Sequence, residues 1–148
     1  MRLDLETSAY RERGFNCAQS VFTPFATRLG IDEALALKIS APFGAGMGHM
    51  GQACGAVCGA LMAIGMAEGT TPGRDVAQKE ACNKLAQAFE TQFVELHGDL
   101  SCQGLLGLDL GVPAELQVAK DEGLFQTLCP VFVADASRLA RDLLKIPD

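Results

Sequence analysis

The 148-residue chain has six cysteines but no C-x₂-C pair. That absence removes the thioredoxin motif and the paired knuckles usual in structural zinc sites. C-x₂-C-H is missing too, which excludes covalent attachment of c-type haem. No G-K-S or G-K-T follows a glycine loop, so a P-loop is excluded. No Ser/His/Asp grouping and no paired carboxylates stand out, so hydrolytic chemistry has no candidate site. Nowhere do apolar and polar residues alternate in a sustained way, so the fold class is all-α.

Positive charge is also in short supply. Twelve Lys and Arg face eighteen Asp and Glu, giving a formal charge of −6 and a pI near 4.8. Nucleic acid and anionic membranes favour a basic face, so neither is expected as a partner. The N-terminal stretch MRLDLETSAYRERGF is charged throughout and has no apolar h-region, which argues against a secretory signal. The apolar run ahead of Glu68 is shorter than the roughly 20 residues a membrane span needs. A cytoplasmic location is the expectation. In a reducing cytosol six cysteines do not build a disulfide framework, and six exceed what simple core packing asks of so short a chain.

Apolar residues make up 49% of the sequence, which excludes disorder and gives residues 1–148 enough length to bury the core of one domain. The stretch that organises the chain is Pro42 to Ala67. It opens as a glycine-dense loop and continues as an uncharged run of small and apolar residues. Gly51, Gly55, Gly59, Ala63 and Ala67 recur every fourth position, which on a helix forms a ridge almost without side chains. Three glycines on one helical face cost stability unless close packing compensates. The expectation is a compact domain of five to seven helices around this central helix, with the ridge available for a helix crossing or a homodimer seam. Gly46, Gly48 and Gly51 spell G-x-G-x-x-G, but the flanking segments do not read as strands, so a dinucleotide site is disfavoured.

Elsewhere, helices are predicted over Leu3–Arg13, Asn16–Leu29, a segment capped by Asp32, Pro72–His97, Ala114–Gly123 and Gln126–Lys145. A short helix restarts after Ser101. Asn16, Asp32 and Ser101 are suited to N-caps, and Gly98 suits a helix end. These placements put Cys17, Cys54, Cys102 and Cys129 each in the opening turn of a helix. There the helix dipole favours thiolate, the form that binds metals and attacks disulfides. Cys58 and Cys82 read as core, with a spare ligand as the alternative for Cys58. His49 reads as a solvated loop residue, with a ligand or proton-donor role as the alternative. His97 reads as a partner for its own helix's C-terminus.

With these residues placed, the chain resembles the C_GCAxxG_C_C family of redox-active proteins. The motif stands here as Cys54-Gly55-Ala56-Val57-Cys58-Gly59. Cys17 in FNCAQSVF, Cys102 in CQGLLGLD and Cys129 match the other three family cysteines, and the resemblance runs from Phe15 to about Ala136. It implies a redox role in which Cys17, Cys54, Cys102 and Cys129 bind an iron–sulfur cluster for electron transfer. Those four serve as catalytic, cofactor-binding and metal-ligating residues together. A homodimer and a redox partner protein are the expected partners. Two alternatives stay open: a metal-free protein cycling a disulfide among these cysteines, and a structural or partner-binding helical domain whose cysteines are merely buried.

Overall fold

The computed structural model describes residues 2–69 and 75–147. Among them no strand forms; helices joined by loops make up the fold, with one isolated antiparallel bridge between Ala53 and Ser101. The helices are α1 (Leu3–Glu12), α2 (Cys17–Arg28), α3 (Glu33–Ser40), α4 (Gly55–Glu68), α5 (Val76–His97), α6 (Cys102–Leu106), α7 (Pro113–Asp121), α8 (Leu124–Thr127) and α9 (Cys129–Leu144), with a 3₁₀ turn at Ala41–Phe43.

Side-chain caps set several of these starts. The Asn16 side chain accepts from the Gln19 N–H at 2.9 Å, and the Gln19 side chain accepts from the Asn16 N–H at 3.0 Å. This reciprocal capping box satisfies donors that a helix start leaves orphaned. Asp32 caps α3 through the Leu35 N–H, Asp75 caps α5 through the Gln78 N–H, and Ser101 caps α6 through the Gly104 N–H. The start expected at Pro72 lies outside the described residues, and the helix described there begins at Val76. Gly123, in the left-handed region at φ 67°, caps the start of α8, and the expected Gln126–Lys145 helix resolves into α8 and α9. Such single-turn pieces make the helices more numerous than the five to seven expected.

α4 packs against α2, α5 and α9. A Cβ on Gly59 would stand 2.8 Å from the Ala18 carbonyl oxygen and 3.0 Å from Val21 Cβ. One on Gly55 would stand 3.0 Å from both the Ala18 nitrogen and the Phe43 oxygen. The ridge is thus occupied by α2 of the same chain, which removes it as an argument for a dimer seam. Gly51 lies in the loop ahead of α4 rather than on the helix. Phe25, Ile64, Phe89, Phe93 and Val133 are buried around this crossing, each contributing about 1.5–3 kcal/mol of hydrophobic burial. No described helix is long and apolar enough to cross a membrane.

Candidate functional site

The four cysteines do stand at helix starts. Cys17, Cys102 and Cys129 are the first residues of α2, α6 and α9, and Cys54 is the residue that caps α4. Backbone hydrogen bonds bring two of them together. The Cys54 N–H donates to the Leu100 oxygen at 2.8 Å, the Cys102 N–H donates to the Gln52 oxygen at 2.6 Å, and the Gln103 N–H donates to the Gly51 oxygen at 3.0 Å. The segments before α4 and α6 are therefore stitched side by side. Gly55 brings in the third: its missing side chain leaves room for Cys17, whose Cβ lies 3.2 Å from where a Gly55 Cβ would be.

All four cysteines line one cavity of about 320 Å³. They are largely buried, with 4–8% of their surface exposed. In each of the six possible pairs among them, one thiol perturbs the other's ionisation. Such mutual influence requires proximity. Phe15, Leu105, Phe125 and Phe132 supply apolar wall, and Arg11, Lys120 and His49 supply polar groups.

The expectation that helix N-termini would favour thiolate holds for one cysteine and fails for three. Burial pushes Cys54 up to about 12, against N–H groups of Val57 and Ala56 that stabilise its thiolate. Burial likewise pushes Cys102 to about 12, aided by the charges of Cys54 and Cys17. Desolvation of a charge outweighs a half-charge at a helix end. Cys17 and Cys129 shift each other more strongly than any other group shifts them. Cys129, followed by burial, raises Cys17. Cys17 lowers Cys129, and the Arg11 guanidinium lowers it further against the cost of burial.

The glycine loop has an unusual backbone. Ala45, Gly46, Met47, Gly48 and His49 are consecutive residues with φ between 50° and 78°. A non-glycine residue in that region costs about 1–2 kcal/mol, so the three with side chains need external support. The Gly48 N–H donates to the Pro42 oxygen at 2.7 Å, and the Gln52 N–H to the Gly46 oxygen at 2.9 Å. The turn places Ala45 and His49 on the cavity. His49 is thus an exposed loop residue, as expected, that also borders the cysteines. The G-x-G-x-x-G glycines serve this turn; among the described residues no strand precedes them.

Arg11, Lys120, Phe125 and Phe132 escaped the sequence reading because only tertiary packing brings α1, α7, α8 and α9 to the cysteines. Arg11 donates to the Phe15 oxygen at 3.2 Å and the Phe125 oxygen at 2.8 Å, tying two walls together. His97 does not serve as a cap for its own helix. Its Nε2 lies 2.9 Å from the Asp135 carboxylate on α9, and its ring packs edge-on against Phe132 at 5.0 Å. It therefore stands behind one cavity wall. Cys58 and Cys82 do not line the cavity; both are half-buried, and Cys82 packs against the core.

Four thiols suit a thiolate-ligated cluster in kind, since such clusters are held by Cys₄ sets. Among the described residues, however, no three His, Cys, Asp or Glu side chains form a group that could hold a metal ion. Cys129 is the sulfur whose ionisation the site eases, and Cys17 is the thiol that shifts it most.

No curated protein and no solved structure matches the chain. A family model described as "Putative redox-active protein (C_GCAxxG_C_C)" matches residues 15–143, a span that includes Cys17, Cys54, Cys102 and Cys129. With the match covering most of its length, the chain belongs to the C_GCAxxG_C_C family.

Proposed function

We propose that the chain is a redox protein whose electrons pass through the sulfurs of Cys17, Cys54, Cys102 and Cys129, with Cys17 and Cys129 as the working pair. The observation that carries this reading is the cavity that all four thiols line, within which Cys17 and Cys129 shift each other's ionisation most strongly. Oxidation joins the two sulfurs, releasing two protons and two electrons, and reduction reverses it. Disulfide geometry asks for sulfurs in contact and Cα atoms about 4.4–6.8 Å apart. The mutual influence of the two thiols across the shared cavity supports such proximity. Cys54 and Cys102, held protonated by burial, then act as reserve thiols rather than as the first to react.

A second reading is an iron–sulfur cluster held by all four cysteines. The donor set favours it: four sulfurs line the cavity without a competing carboxylate among the described residues, and two cations offset thiolate charge. When bound, a cluster would supply one-electron transfer, with Cys17, Cys54, Cys102 and Cys129 as its ligands.

Anaerobic purification with iron and acid-labile sulfide analysis separates the two. A colourless protein without iron, losing two free thiols on oxidation and regaining them with reductant, supports the disulfide. Brown protein with stoichiometric iron and sulfide supports the cluster. Six free thiols before and after oxidation, without iron, would refute both.

A further inference from the structure

The cavity carries charge opposite to the rest of the molecule. The chain's formal charge is −6, yet no carboxylate among the described residues lines the cavity, while Arg11 and Lys120 both do. Their settings differ. Arg11 is held by two backbone carbonyls, its Nε is buried without a hydrogen-bond partner, and its charge reaches both Cys17 and Cys129. Lys120 is exposed at the end of α7, so the cavity opens beside a solvated ammonium. His49 borders the same space from the left-handed loop. Between these polar groups the wall is mainly apolar, formed by leucine and phenylalanine side chains and the cysteines. A volume of about 320 Å³ suits a small molecule.

We propose that the cavity receives a small disulfide bearing acidic groups, and that Arg11 and Lys120 select it by charge while Cys129 and Cys17 reduce it. This rests on the disulfide reading above. In the first step the Cys129 sulfur, as thiolate, attacks one sulfur of the entering disulfide. A mixed disulfide forms, the original S–S bond breaks, and one thiolate leaves and takes up a proton. In the second step Cys17 gives up its proton and attacks the Cys129 sulfur. The mixed disulfide breaks, and the second thiolate leaves and is protonated. Two electrons pass from the cysteine pair to the substrate, which departs as two acidic thiols. Cys17 and Cys129 end joined, to be reduced again by an external dithiol.

The acidic surface makes the test discriminating, because the molecule's overall field attracts cations and repels anions. Three disulfides of nearly equal size serve as probes: 3,3′-dithiodipropionate with two carboxylates, bis(2-hydroxyethyl) disulfide without charge, and cystamine with two ammonium groups. Each is mixed at low ionic strength with the full chain after removal of reductant, and loss of free thiol is followed. Each rate is divided by that of the same disulfide with a small free thiol, which removes intrinsic reactivity. The expected order is dianion, neutral, dication, with the dianion ahead of the dication by about tenfold or more. Lys120→Gln, chosen because the side chain is exposed, brings the dianion-to-neutral ratio down towards one, and salt does the same. If cystamine is fastest, or the three normalised rates are equal, charge selection by the cavity is wrong while the cysteine pair stands. If none of the three removes thiols, the pair's disulfide chemistry fails and the substrate proposal fails with it.

Discussion

The close crossing of α2 and α4 positions Cys17, and its strength can be measured with two glycines on one helix. Gly59 and Gly65 both lie in α4. A methyl at Gly59 meets the Ala18 carbonyl oxygen at 2.8 Å, Val21 Cβ at 3.0 Å and the Phe22 nitrogen at 3.2 Å. Two of these are backbone atoms, which yield only if α2 moves. A methyl at Gly65 meets nothing within 4 Å. Both substitutions to alanine gain about 1 kcal/mol of helix propensity, so the difference between them isolates the overpacking at Gly59. Overpacking of this kind costs typically about 1–3 kcal/mol. Gly65→Ala is therefore expected to raise Tm by about 2–4 °C, using the scaling for a domain near this size. Gly59→Ala should fall below Gly65→Ala by about 1–3 kcal/mol in urea unfolding. Because α2 begins at Cys17, the Gly59 variant should also form the Cys17–Cys129 disulfide more slowly. A Gly59→Ala protein as stable as Gly65→Ala would show that the two helices do not touch at this position.

Three further outcomes follow from the site. Asn16→Ala removes the capping box that starts α2 and should cost about 1 kcal/mol, seen as a lower denaturation midpoint with unchanged slope; no loss would mean the cap does not set that helix start. Alkylation at pH 8 by iodoacetamide, read by peptide mass spectrometry, should label Cys129 before Cys54 and Cys102, because Cys129 is lowered while the other two are raised to about 12. Equal labelling would contradict the assigned difference between these thiols. Thermal stability should decline as pH rises above about 9. Cys54 and Cys102 keep their protons to about 12 when folded and lose them sooner when unfolded, so the unfolded state binds fewer protons in that window. The slope is at most about 1.4 kcal/mol per pH unit for each such thiol, smaller for the less buried Cys102, and Cys102→Ser should flatten the decline.

Much of this fold was legible because helix starts are written locally. Asn16, Asp32 and Ser101 sit beside the donors they satisfy, so their caps could be read from neighbours in sequence. α4 has no capping side chain at Cys54, and its start four residues after Gly51 depends on a turn with five consecutive left-handed residues. Apolar periodicity does not encode that turn. The meeting of Cys54 with Cys102 depends on backbone hydrogen bonds across some fifty residues of chain, a pairing no local pattern announces. Predicted helix starts grouped the four cysteines, and the family resemblance then matched the same four. The cations were harder still: Arg11 looks like any charge on an exposed first helix until Phe15 and Phe125 offer it their carbonyls. Thiol ionisation was misjudged in direction for three cysteines because position along a helix is visible in sequence and depth of burial is not.

Disulfide mapping decides whether these sulfurs act together. The chain is oxidised after reductant and any metal are removed, its remaining free thiols are blocked under denaturing conditions, and it is then digested and analysed by mass spectrometry. A single link joining the Cys17 peptide to the Cys129 peptide, with the other four cysteines blocked as free thiols, is the predicted result. A link that runs instead through Cys58 or Cys82, or six cysteines all blocked as free thiols, would contradict it.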